Sequence, residues 1–213
     1  MSDIRKILLV DDHAVVRMGF KLLLQGAEDI EVVAEAASGE EAIKRYAEIK
    51  PDLVVMDISM PGIGGLEAVS RLLAKDPAAK ILILSAHEDS SHPKRLLKAG
   101  AVGYLSKRSA AEELIQAIHQ VASGKTFLDS KLAQAMAMQQ LTGEQNPVEV
   151  LSDREFEVFM LLAKGQSVAH IAEKLFLSPR TVGTHLYNIK QKLNAGNSAE
   201  IALIAMRNGL LDH

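Results

Sequence analysis

Five polar residues in this chain each close a short apolar run. Asp11 and Asp12 follow Lys6-Ile7-Leu8-Leu9-Val10, Asp57 follows Leu53-Val54-Val55-Met56, Ser85 follows Lys80-Ile81-Leu82-Ile83-Leu84, and Lys107 follows Gly103-Tyr104-Leu105-Ser106. Three carboxylates brought to one place repel unless a cation joins them. Hard oxygen donors in so small a set suit Mg2+, which keeps several of its waters. Lys107 adds a compact cation on a flexible stem, suited to a phosphoryl oxygen, and Ser85 adds a hydroxyl donor. A metal ion, a lysine and a hydroxyl around one free carboxylate make a site for phosphoryl transfer to that carboxylate. Taken alone, Asp57 reads equally well as a helix N-cap or a polar strand end. Its neighbours in space must decide.

The runs themselves read as strands that must deliver these groups to one edge. Each is short and apolar, as in a buried parallel sheet. Between them lie segments with helical spacing: 14–25, a helix opened by Ser38 and Glu41 as a capping box, a helix after Gly64-Gly65 stopped near Pro77, a short helix around Lys94 to Lys98, and Ala110 to Ser123. Ile30 to Ala36 is a further strand. Alternation of this kind predicts an α/β flavodoxin-like domain, a doubly wound five-stranded parallel sheet. Ligands of such sheets bind at the carboxyl ends of the strands, where the polar residues stand.

Composition sets the outer bounds. The chain has 213 residues, 48% of them hydrophobic, enough to bury a core in each of two small domains. The absence of cysteine excludes disulfides, cysteine-based zinc sites and thiol chemistry. No signal h-region and no apolar run near the ~18 residues of a membrane span occurs, so a cytoplasmic protein with no membrane partner is expected. The net charge of −3 argues against a globally basic nucleic-acid binder, but from Lys174 to Ala199 there is no Asp or Glu, while Lys174, Arg180, Lys190 and Lys192 are cationic.

Past residue 125 the strand pattern stops. Residues 126–147 read as a linker, with a helical stretch from Ser130 to Leu141 and a polar turn-rich run, Thr142-Gly143-Glu144-Gln145-Asn146-Pro147. Residues 148–213 then read as a small all-α four-helix domain. Ser152 and Glu155 form a capping box for the first helix, Ser167 caps the second, Ser178 caps a third that has Pro179 at its first position and runs to Leu193, and Ser198 to Arg207 forms the fourth. Two helices joined by the short turn Phe176-Leu177-Ser178, the second of them basic, make a helix-turn-helix pattern. Thr181, Thr184, His185, Asn188 and Lys192 recur at three- and four-residue steps, as a face in the major groove requires.

Within a first domain of residues 1–125, Lys6 to about Gly124 resembles the receiver domain of two-component response regulators, on the motifs Val10-Asp11-Asp12-His13, Met56-Asp57-Ile58-Ser59-Met60-Pro61-Gly62, Leu84-Ser85-Ala86 and Tyr104-Leu105-Ser106-Lys107. Leu151 to Leu211 resembles the LuxR-type helix-turn-helix of the NarL/FixJ subfamily, on Leu151-Ser152-Asp153-Arg154-Glu155, Ile171-Ala172-Glu173-Lys174-Leu175 and Leu177-Ser178-Pro179-Arg180-Thr181-Val182. The stretches 60–68 and 95–101 are most similar to the Gac/Uvr-type global regulators.

The resemblance implies Asp57 as phosphoacceptor; Asp12, Asp57 and the backbone carbonyl of Ser59 as Mg2+ ligands, with Asp11 binding directly or through water; Ser85 and Tyr104 as a switch pair; and Lys107 as holder of the phosphoryl group. His13 is read as a residue of the first helical turn and not a ligand, since Mg2+ prefers oxygen. Where relatives carry a lysine after the Thr-Val pair, this chain has Gly183, so base readout is expected from Thr184, Tyr187 and Asn188, with Arg180, Lys190 and Lys192 on phosphates. The expected function is a DNA-binding regulator, not an enzyme, phosphorylated at Asp57 by a sensor histidine kinase. It would act on double-stranded promoter DNA as a homodimer once activated, with RNA polymerase as a candidate partner. Two other classes remain: a phosphohydrolase with an Asp57 phosphoenzyme, which would lack an acid two residues on, where Ser59 stands; and a receiver-controlled protein adaptor without a DNA role.

Overall fold

The computed structural model describes residues 4–85, 96–97, 100–107, 111–130, 133–134, 137, 147–208 and 210–211. The chain divides into an N-terminal unit that runs to Ala133 and a C-terminal unit from Gln134 onward.

In the N-terminal unit the order is β1 (Arg5–Val10), α1 (Ala14–Leu24), β2 (Ile30–Ala36), α2 (Gly39–Ile49), β3 (Leu53–Asp57), α3 (Gly64–Lys75), β4 (Ile81–Ser85), β5 (Gly103–Ser106), α4 (Ala111–Ala122) and β6 (Phe127–Leu128). All strands pair in parallel, in the order β2-β1-β3-β4-β5-β6. The sheet therefore has six strands, one more than the five expected. The added strand is two residues long, pairing Phe127 with Gly103 and Leu128 with Tyr104, too short for any periodicity to betray it. Of the helix expected around Lys94 to Lys98, only Leu96 and Leu97 are described, and both are helical.

Strand side chains alternate, and the core divides with them. Ile7, Leu9, Leu53, Val55, Leu82, Leu84 and Leu105 pack with Leu24 of α1 and with Leu114, Ile118 and Val121 of α4. Leu8, Val10, Val54, Met56 and Ile83 point to the other face and are equally buried, as are Ala42 of α2 and Val69 and Leu72 of α3. β3 and β4 are buried along their whole length and apolar up to Asp57 and Ser85, and β1 is apolar and buried from Ile7 to Val10, so each of these runs ends at a polar residue at the carboxyl edge.

Registers bring those ends level. Val10 pairs with Met56, Asp57 with Leu84, and Ser85 with Ser106. Ser38 caps α2 as expected, accepting from Glu41 N at 3.2 Å. The reciprocal bond differs: the Glu41 carboxylate takes the N–H of Ala37 rather than that of Ser38.

The C-terminal unit holds α5 (Asp153–Ala163), α6 (Val168–Lys174), α7 (Pro179–Leu193) and α8 (Ser198–Arg207), preceded by a 3-10 turn at Pro147–Val150. Residues 142–146, the polar part of the expected linker, lie outside the described residues. Of the helix expected from Ser130, the described residues 130, 133, 134 and 137 are helical. Ser152 makes a complete capping box with Glu155, Ser167 and Ser178 cap α6 and α7, and Asn197 caps α8. The core is formed by Phe156, Phe159, Ile171, Val182, Ile189, Ile201 and their neighbours, with the two phenylalanine rings stacked at 6.1 Å between centroids. Fully burying one such side chain contributes roughly 1.5–3 kcal/mol. The turn between α6 and α7 reverses through Phe176, whose φ of 52° is unusual for a bulky residue and whose ring is exposed.

Candidate functional site

Asp11 and Asp57 are almost completely buried, and one ammonium joins them. Lys107 Nζ donates to Asp11 Oδ2 at 2.6 Å and to Asp57 Oδ2 at 2.7 Å. The lysine is placed by the sheet: its backbone N–H donates to Ser85 O at 2.8 Å, extending the β4–β5 ladder by one step. Each carboxylate also takes a local backbone N–H. His13 N donates to Asp11 Oδ1 at 2.8 Å, and Ser59 N donates to Asp57 Oδ1 at 3.0 Å. These are Asx-type turns that reverse the chain just past each strand and hold the carboxylate rotamers.

Burial pushes the Asp57 carboxyl above its ordinary range. Lys107 and the Ser59 N–H pull it down, and the Asp11 charge adds to the rise. Burial works against the charge on Lys107, but Asp57 and Asp11 hold its pKa above the usual lysine value. The lysine is thus an ammonium at neutral pH.

Asp11, Asp12, His13 and Asp57 each offer a ligand atom, all within 4.8 Å of one another. With all three carboxylates ionised, one ammonium leaves two negative charges uncompensated, which a divalent cation would match. Asp12 Oδ1 is buried without a well-aligned hydrogen bond, although His13 Nδ1 stands 2.8 Å away. A buried carboxylate oxygen in that state suits a hard metal, and the donor set fits Mg2+. His13 is the N-cap of α1 and not, as expected, a residue of its first turn. Its ring is mostly exposed and lies at the side of the acidic cluster.

Ser85 and Tyr104 are both buried; Ser85 ends β4, and Tyr104 lies on the neighbouring β5 opposite Ile83, two residues short of that edge. Two residues outside the expected set also shape the site. Arg17 of α1 donates through Nη1 to the backbone carbonyl of Asp11 at 2.6 Å and through Nε to Glu35 Oε2 at 3.0 Å, tying the loop with both acids to β2. Gly65 donates its N–H to Ile58 O at 3.2 Å, and a Cβ there would stand 2.4 Å from Ile58 Cα and 2.5 Å from Asp57 O. Only glycine lets α3 begin so close to Asp57. The Gly64-Gly65 pair was the visible signal.

In the C-terminal unit, Arg180, Thr184 and Tyr187 are exposed on α7, with Tyr187 at 64%. Thr181, Asn188 and Lys190 are half-buried. The Thr181 hydroxyl is paired with that of its cap Ser178 at 2.8 Å, and Lys190 Nζ reaches Gly196 O at 3.1 Å. Thr184 Oγ1 donates back to Arg180 O at 3.1 Å. Two expected groove residues have inward ties. Lys192 Nζ lies 2.6 Å from Glu155 Oε2, which also accepts from Ser152 N at 2.7 Å. His185 is half-buried; burial and the nearby Arg154 push its pKa down, and Nδ1 is enclosed without a hydrogen-bond partner among the described residues. It is a neutral imidazole near pH 7.

Comparison with known proteins covers both units. Residues 7–119 match the response regulator receiver domain, and residues 149–205 match the bacterial regulatory proteins of the luxR family. The chain is 41% identical over 209 residues to response regulator GacA of Pseudomonas aeruginosa, covering 97% of this chain and 98% of the relative. It is 42% identical over 206 residues to response regulator UvrY of Escherichia coli, covering 96% and 94%. Among solved structures, a LuxR-family two-component response regulator from Aurantimonas is 40% identical, with a TM-score of 0.64 over 65% of this chain and 99% of the other. Response regulator ChrA of a heme-sensing system is 34% identical, with a TM-score of 0.55 over 99% and 100%. With its receiver in front and its luxR-type helices behind, the chain belongs to the NarL/FixJ family of two-component response regulators.

Proposed function

We propose that Asp57 is the phosphoacceptor through which a sensor histidine kinase controls the DNA-binding helices. One observation carries the reading: a buried carboxylate held between a lysine ammonium and a backbone N–H, at the edge of a three-acid cluster. In the transfer, an Asp57 carboxylate oxygen forms a bond to phosphorus as the bond from phosphorus to the donor's imidazole nitrogen breaks, and the imidazole leaves. Lys107 Nζ stands where an incoming phosphoryl oxygen would arrive. Bound Mg2+ would offset charge on the transferring group; Asp11, Asp12, Asp57 and the Ser59 carbonyl would hold it.

The acyl phosphate carries about two negative charges where the carboxylate carried one, and it presents three acceptor oxygens. Lys107 and the Ser85 hydroxyl are the donors able to turn toward it, and Tyr104 is the neighbouring aromatic that follows. The rearranged edge would favour a homodimer that places two α7 helices on one stretch of promoter DNA, where RNA polymerase is a candidate partner. Arg180, Thr181, Thr184, His185, Tyr187, Asn188, Lys190 and Lys192 remain the proposed DNA-contacting set. Arg180, Thr184, Tyr187 and Lys192 are the exposed members of the set, although Lys192 is also tied to Glu155, and half-buried His185 supports the helix from within. The protein would work in the cytoplasm.

Regulation is favoured over hydrolysis by Ser59: the residue two beyond Asp57 supplies a backbone N–H and no acid. The test is labelling with a small acyl-phosphate donor and Mg2+. The wild type takes up one phosphoryl group; Asp57→Asn takes up none. Equal labelling of Asp57→Asn would sink the assignment.

A further inference from the structure

Helix α7 carries an interior glycine, the fifth of its fifteen residues, for which the protein itself provides no reason. Glycine in a helix interior is less favourable than alanine because the unfolded chain has more freedom to lose. Three internal causes would normally account for it. A positive φ is not one, because the positive-φ glycines are residues 62, 64, 100, 124 and 165. Helix termination is not one either, since α7 runs on from Gly183 to Leu193. Close packing is the third. A Cβ on Gly39, Gly65 or Gly103 would come within 3.0 Å of a neighbour, whereas a Cβ on Gly183 would meet nothing within 4 Å. Gly19 of α1 is also open, but its surroundings are the exposed apolar side chains Val15, Met18 and Leu22.

The surroundings of Gly183 are of another kind. At 3.6 residues per turn its neighbours at one, three and four residues' distance include Thr184, Arg180, Tyr187 and Pro179, all exposed, and Leu186, which packs against the core with Val182 and Ile189. Gly183, itself half-buried, is therefore a notch at the flank of the outward face of α7. Its walls are weakly polar. The Thr184 hydroxyl is committed to Arg180 O, and Tyr187 offers the side of a ring. A long helical side chain leans toward the turn before it, so Tyr187 would ordinarily cover position 183. Here nothing lies within 4 Å of where a Cβ would be, and the notch stays open.

Resting on the reading of α7 as the groove-entering helix, we propose that Gly183 is a specificity-determining residue whose notch receives the 5-methyl group of a thymine. Among base edges in the major groove, the thymine methyl is the apolar one, and it pairs with small apolar surfaces. A Cβ at position 183 would occupy the space the methyl needs. With no side chain at this position, the helix backbone can approach one T·A pair more closely.

The experiment uses the full-length phosphorylated protein. Its preferred duplex is selected from random sequence, and each thymine in it is replaced in turn by deoxyuridine, which removes only the methyl. Wild type should lose about tenfold in affinity at one thymine per half-site, a typical penalty for a single lost base contact. Gly183→Ala should bind the thymine duplex about tenfold more weakly and be indifferent to deoxyuridine at that position, with an unchanged or raised Tm. Gly183→Ala binding as tightly as wild type, or keeping the same sensitivity to deoxyuridine, overturns the proposal. So does a fall in its Tm, which would reveal an internal need for the glycine. If wild type itself selects no sequence and shows no salt-dependent duplex binding, the failure lies with the DNA-binding reading as a whole.

Discussion

Lys192, on the last turns of α7, donates to Glu155, which completes the capping box of a different helix. The carboxylate is buried and the ammonium partly exposed. Burial alone would push the Glu155 pKa up, but the bond from Lys192 and those from Ser152 outweigh it, and the pKa lies below the ordinary glutamate value. A depressed carboxylate stabilises the fold above its unfolded pKa, and that contribution is lost as pH falls through the folded value. The C-terminal unit should therefore hold its stability from neutral pH down to the usual glutamate range and lose it below. Lys192→Met should destabilise the unit by about 1–3 kcal/mol, because it strands a buried charge. Glu155→Gln should cost less, about 1 kcal/mol, because an amide still serves the cap. Urea unfolding of the full chain at pH 7 and pH 4 reads both, and equal losses at both pH values would contradict the role given to the pair.

Lys107 neutralises one of the charges that a metal would otherwise meet. Replacing it with glutamine should raise Mg2+ affinity, by about threefold or more, since a cation is removed from a buried acidic pocket. The same change should abolish phosphorylation-dependent DNA binding, because the group that follows the phosphoryl oxygens is gone. Calorimetric Mg2+ titration and duplex binding with and without the phosphodonor measure the two effects. Weaker Mg2+ binding in Lys107→Gln would show that the lysine holds the pocket together rather than competing with the ion.

Gly65 predicts a steric effect at the same site. In Gly65→Ala the new methyl would press on Ile58 Cα and on Asp57 O, both backbone atoms that can yield only by moving α3 or the loop after β3. Overpacking of that kind costs about 1–3 kcal/mol. Labelling of Asp57 by an acyl-phosphate donor should also slow, since the loop carries Ser59. A variant that unfolds like wild type and labels at the wild-type rate would mean the loop accommodates the methyl without effect.

Much of this arrangement is legible in the sequence because the sheet is buried on both sides. Where a strand is apolar along its buried length, the polar residues that follow mark the carboxyl edge, so Asp11, Asp57, Ser85 and, just past Ser106, Lys107 could be expected to converge, and the lysine ammonium does bridge two of the acids. Serine caps were equally visible, being local in sequence. What escaped depended on contacts between distant segments or on elements too short to show a period. Phe127–Leu128 adds a strand of two residues. Lys192 looked like a phosphate-binding cation because its partner lies on another helix. Arg17 carries no local signal of its role, since neither the Asp11 carbonyl nor Glu35 is a helical neighbour.

Arg17 supplies the last prediction. Its guanidinium spans from the Asp11 carbonyl to Glu35, with Lys21 Nζ also on Glu35 at 2.6 Å. The Glu35 carboxyl is held below its ordinary range by its bond from Lys21, against burial, and by Arg17. The bond to the carbonyl fixes the loop that carries Asp11 and Asp12, so Arg17 orients the acids without touching a metal. Loss of a group that orients a ligand typically weakens metal binding by about 10–100-fold. Arg17→Ala should then weaken Mg2+ binding by about tenfold and slow labelling of Asp57, with saturating Mg2+ restoring most of the rate. Glu35→Gln keeps Arg17 and its bond to the carbonyl, so it should weaken Mg2+ far less. If the two variants lose Mg2+ affinity equally, the effect belongs to the surface charge network of α1 and β2 rather than to the carbonyl bond.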